Sequence, residues 1–102
     1  MKIVFSIDFL WVPSDFGGSS FGPCDGIRMT VRWQKYISAY LECSNDAEIE
    51  LISYNEETFR GKARCKMYSE IDAEWLSRGQ LIELISGYRV FAIGKIAENT
   101  DC

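Results

Sequence analysis

Residues 2–12 alternate with a period of two. Ile3, Phe5, Ile7, Phe9 and Trp11 fall on one face, and Val4, Leu10 and Val12 make the other face partly apolar. A period of two marks a strand, and apolar residues on both faces predict one that is central or packed between layers. Asp8 on the second face predicts nearness to a sheet edge. Residues 13–27 then hold four glycines and two prolines in fifteen positions. That composition predicts a long irregular loop. Alternation resumes over 28–43, with Met29, Val31 and Trp33 opposed to Arg28, Thr30 and Arg32, followed by a turn at 44–46. A strand opens at Glu48–Ile52, and Asn55-Glu56-Glu57 reads as the next turn. From Lys62 to Tyr68, Ala63, Cys65 and Met67 are expected inward and Lys62, Arg64 and Lys66 outward.

Residues 72–79 are the one place where a short helical turn is expected, capped by Asp72 and ended by Gly79. Residues 80–86 fit helix or strand by pattern, and a length of seven between glycines favours strand. Tyr88–Ala97 forms the last strand, with Gly94 at a bulge or close approach. Residues 98–102 read as a frayed tail. Six or seven strands at spacings of about ten residues predict an all-β barrel or sandwich.

Composition narrows this to one soluble domain. The chain has 102 residues, 47 % of them hydrophobic and 25 % charged. Its longest apolar runs are far shorter than the roughly 20 residues that span a bilayer. Asp8 interrupts the only segment resembling a signal peptide, so no membrane association is expected and the setting reads as cytoplasmic. Cys24, Cys43, Cys65 and Cys102 lack metal-type spacing, and there is no histidine to complete a zinc site. Free thiols and no cofactor are the expectation.

The missing histidine also removes the commonest general base and the triads built on it. Cys65 lies between Arg64 and Lys66, but in a strand those neighbours face the other way. Nothing places Glu48/Glu50 or Glu56/Glu57 in a pocket, and Glu48 and Glu50 share one strand face that reads as solvated. Gly17-Gly18 and Gly22 lack phosphate-loop spacing. No catalytic constellation is expected. Two binding surfaces are. In the 13–27 loop, Phe16 and Phe21 are expected either to tuck back or to contact a partner, and with Asp15 and Asp25 they make a set suited to a protein partner. Alternatively, Arg28 and Arg32 on one strand with Lys62, Arg64 and Lys66 on another form a positive stripe. Beside Trp33, Tyr36 or Tyr40, such a stripe would suit tRNA or other RNA.

The order of signals resembles the C-terminal barrel domain of elongation factor Tu and related translational GTPases. Ser14-Asp15-Phe16-Gly17-Gly18 stands where that family has an acidic-Gly-Gly stretch, and Asp25-Gly26-Ile27-Arg28 resembles its G-Y-R turn. Residues 75–84 and the closing segment 87–96, Gly-Tyr-Arg-Val-Phe-Ala-Ile-Gly-Lys-Ile, resemble its final strand and glycine-bearing hairpin. The resemblance implies a six- to seven-stranded Greek-key β-barrel that does no chemistry. In the family this domain helps to hold the T stem of tRNA, packs on a neighbouring barrel and contacts partner proteins. Here Met29 replaces the proline after the arginine, the 102 residues are expected to form this barrel without a GTPase domain or a second barrel, and the net charge is −4.

These readings converge on a non-catalytic protein-binding module. An acidic surface suits a basic partner, and a bacterial immunity protein that neutralises a basic toxin is one specific form. Nothing in the pattern chooses an oligomeric state.

Overall fold

A computed structural model describes residues 3–34, 46–68, 71, 73–87 and 89–101, with backbone alone for 98–101. The expected alternation over 35–43, the turn at 44–45, the Asp72 cap, Tyr36, Tyr40, Cys43 and Cys102 lie outside these residues. Six strands form: β1 (Ile3–Trp11), β2 (Arg28–Trp33), β3 (Asp46–Asn55), β4 (Arg60–Met67), β5 (Leu81–Ser86) and β6 (Arg89–Asp101). Single turns of 3-10 helix form at Ser14–Phe16 and Ala73–Leu76.

All pairings are antiparallel, and the ring closes in the order β1-β4-β3-β2-β5-β6. The sequential strands β2, β3 and β4 lie side by side with β1 beside β4, which is the Greek-key arrangement. Closure removes every sheet edge. Asp8, expected near an edge, instead lies outward in mid-strand between Lys62 and Lys95. The frayed tail expected at 98–102 is corrected over residues 98–101, which are strand. The polar run of residues 98–101 carries no strand signal of its own, but the first residues of β1 need a ladder partner. Strand β6 therefore continues until Asp101 pairs with Ile3.

The period-two residues of β1 all point inward and are buried, as are Met29, Val31 and Trp33 of β2 and Ala63, Cys65 and Met67 of β4. A six-stranded barrel is narrow enough for side chains to fill it completely. Bulges adjust the fit. On β6, Phe91 is the extra residue between the Ala92–Leu84 and Val90–Ile85 pairs, so it and Ala92 are both buried. On β3, Ile52 is the extra residue between Leu51 and Ser53, and it is left exposed.

Ring order dictates the rest. Strands β1 and β2 are three places apart in a ring of six, and so are β4 and β5. Each of these two connections must therefore cross a barrel mouth. Residues 12–27 cross at the end where β1 finishes, called the upper mouth below. The segment between β4 and β5 crosses at the lower. An indole pins each crossing to the core: Trp11 Nε1 donates to the Phe21 carbonyl at 2.9 Å, and Trp33 Nε1 donates to the Trp75 carbonyl at 2.7 Å. Trp33 stacks obliquely between Phe5 and Trp75, with ring centroids at 5.9 and 5.4 Å.

Inside the barrel, Phe9 occupies space that two glycines leave open. It pairs with Gly61 on β4 and Gly94 on β6. A Cβ on Gly61 would collide with the Ser53 carbonyl oxygen and lie 2.6 Å from Phe9 Cζ. One on Gly94 would press on Ile82 and Ile7 at 3.1 and 3.3 Å, the close approach expected there. Gly61→Ala is therefore expected to destabilise the fold by about 1–3 kcal/mol through overpacking. Urea denaturation should show a lower midpoint, and the smaller clash predicts a smaller loss for Gly94→Ala.

Candidate functional site

The upper mouth is built from the 12–27 crossing, the β3–β4 turn and the start of β6. Its rings form a chain: Phe9 stacks on Tyr54 at 6.1 Å, Trp11 lies 6.3 Å from Phe9 and 5.8 Å from Phe91, and Phe21 meets Phe91 edge-on at 5.7 Å. These contacts anchor one wall of the crossing. The crossing also has its own backbone frame. The Pro13 carbonyl accepts from Phe16 and Gly18 N–H at 3.0 Å each, and Ser19 N–H returns to the Val12 carbonyl at 3.2 Å. This tight return requires glycine at 18, because a Cβ there would collide with the Val12 carbonyl. Gly17 has φ +86°, the left-handed conformation that ends the 3-10 turn.

The two aromatics expected to behave alike do not. Phe21 is 49 % exposed and half committed to the ring chain, whereas Phe16 is 80 % exposed on the turn. Asp15 is exposed beside it. Asp25 has a structural role, its Oδ1 accepting from Leu51 N–H at 2.8 Å. Next to Phe16 lies a depression of about 450 Å³, lined in part by Val12, Arg89 and Val90. Arg89 and Val90 escaped sequence reasoning because nothing local shows that β6 starts beside the crossing.

The basic residues point outward as expected, but register places acids among them. Arg28 lies opposite Glu48, and Arg32 Nε donates to Glu83 Oε1 at 2.7 Å. Glu50 receives Arg64 at 3.2 Å and Lys66 at 2.9 Å, while Lys62 lies 3.9 Å from Asp8. The outcome is alternating charge around the barrel wall. Cross-strand pairs of opposite sign favour the sheet. They also cancel the local potential that phosphate binding needs.

Cys65 is enclosed in the core, and that burial pushes its thiol up to about 12. It stays protonated near neutrality and is a packing residue, with Arg64 and Lys66 on the other face. Cys24 is a free, exposed thiol. Among the described residues, no group of three or more His, Cys, Asp or Glu side chains could hold a metal ion. No helix in the same set is long and apolar enough to cross a membrane. No protein-family model and no curated protein matches the chain.

A variant with Cys24, Cys43 and Cys102 changed to serine isolates the Cys65 thiol. A thiol-specific chromogenic reagent should leave it unmodified in the native protein and titrate it fully in denaturant; fast native reaction would contradict its burial. A second expectation concerns Glu50. The hydrogen bond and charge of Lys66, with help from Arg64, hold its carboxyl below the usual carboxylate range. A group depressed on folding contributes its stability above its unfolded pKa and loses it as pH falls through the folded value. The Tm gap between wild type and Glu50→Gln should thus be small but present at neutral pH and close in acid. A gap that widens in acid would refute the pairing.

Proposed function

We propose that this chain is a non-catalytic protein-binding module that engages its partner through the upper mouth. The observation that carries this reading is Phe16. It stands 80 % exposed on a turn held by the backbone N–H groups of Phe16, Gly17, Gly18 and Ser19, beside a depression lined by both apolar and polar residues, Val12 and Val90 with Ser14 and Arg89. Exposed aromatics on a preorganised frame are efficient binding anchors, because little conformational entropy is lost on contact. The Asp15 carboxylate next to Phe16 and the chain's net charge of −4 favour a partner with a basic surface.

A toxin-neutralising immunity protein is the specific form of this reading that charge supports, since steering by opposite fields speeds capture of a basic toxin. The free Cys24 and buried, reduced Cys65 fit a reducing, cytoplasmic setting. The closed six-stranded Greek-key ring is the architecture that the resemblance to the C-terminal barrel of elongation factor Tu implies, and in that family the domain serves contacts and not chemistry. RNA binding through Arg28, Arg32, Lys62, Arg64 and Lys66 has less support, because carboxylates accompany these cations.

Affinity capture with the full chain, followed by titration of the recovered partner, tests the proposal. Phe16→Ala should leave folding intact and weaken binding by about 2 kcal/mol or more, the scale of an interface anchor. For an immunity protein, the partner should be encoded beside this chain and lose its toxicity on binding. Unchanged affinity of the Phe16→Ala variant would overturn the proposed surface.

A further inference from the structure

The barrel flank carries a second surface, which adjoins the upper mouth only at Asn55 and Thr58 of the β3–β4 turn. Two rows of outward side chains run across the strands there. One passes from Arg60 on β4 through Leu10 on β1 to Ile93 on β6. The other passes from Lys62 through Asp8 and Lys95 to Leu81 on β5. The inward residues between these rows are Gly61, Phe9 and Gly94, and two of the three have no side chain. The valley between the rows is a groove of about 580 Å³.

Its chemistry differs from the rest of the wall. Leu10, Leu81 and Ile93 are 42, 44 and 39 % exposed along it. Arg60, Lys62 and Lys95 line it with the single carboxylate of Asp8. Among the described residues, neither Arg60 nor Lys95 has an ion pair, and Lys62 is held only loosely, at 3.9 Å from Asp8. On a chain of net charge −4, cations thus outnumber carboxylates beside exposed apolar surface.

We propose that this groove docks an extended acidic segment of a partner protein, with apolar side chains on Leu10, Ile93 and Leu81 and carboxylates on Arg60, Lys62 and Lys95. The groove follows the barrel wall from β3 to β5, an arc of four strand spacings or roughly 19 Å, a path for about six residues of a chain that curves with the wall. Such a length suits a peptide better than a compact ligand. A closed ring offers no edge for strand addition, so recognition is through side chains.

The test uses the full chain and a fluorescently labelled octapeptide of alternating glutamate and leucine, read by anisotropy. Saturable binding is expected. It should weaken as salt rises from about 50 to about 500 mM, and exceed binding of the matching lysine–leucine peptide at least about tenfold. Arg60→Glu with Lys95→Glu should reverse that preference, with circular dichroism confirming the fold. Should that variant unfold, the salt and peptide-charge comparisons on wild type still decide. No saturable binding by about 1 mM, or binding indifferent to peptide charge, overturns the proposal. So does binding to phosphatidylglycerol vesicles through the same two cations without binding of the peptide.

Discussion

A closed ring of six strands leaves two open mouths, and everything distinctive about this barrel follows from closing them. Ring order sends one connection across each mouth, because β1 and β2, like β4 and β5, face each other across the barrel. A crossing chain has no ladder to satisfy its backbone groups, and a buried carbonyl without a partner costs about 1–3 kcal/mol. Tryptophan meets this need at both ends. Trp11 and Trp33 fill the interior with apolar rings while their indole N–H groups reach the crossing carbonyls of Phe21 and Trp75. The barrel is therefore sealed by aromatic side chains that belong to strands.

That arrangement explains which regions of the fold could be read in advance. Alternation over β1 and β4 was legible because a closed barrel buries every second residue, so local pattern and global position agree. The ambiguity at 80–86 also resolved by length, as the strand Leu81–Ser86. Strand register was not legible. It depends on pairings between distant residues, so a single-strand pattern shows Lys62, Arg64 and Lys66 sharing a face but not Glu50 and Asp8 beside them. What reads as a basic stripe one strand at a time is a mixed lattice once the strands assemble.

The same distinction separates the two loop phenylalanines. Composition marks Phe16 and Phe21 equally. Phe91 separates them, because a bulge on β6 brings its ring under Phe21 and leaves Phe16 uncovered. The flank groove was illegible for a similar reason. Leu10, Leu81 and Ile93 are scattered along the sequence, and two registers bring them to one valley. The binding surfaces of this molecule are products of register more than of motif.

The seam between β1 and β6 has a further consequence. Ile3 pairs with Asp101, so the two ends of the described chain meet on neighbouring strands at the lower mouth. A ring joined in this way has no topological first strand. Cutting it in the β3–β4 turn and joining β6 to β1 next to the Ile3–Asp101 pair would preserve the order of neighbours around the barrel. The domain is thus suited to circular permutation. It is equally suited to life as a guest: spliced into a surface loop of a larger protein, it would need its host to open a gap of little more than one strand spacing in the backbone.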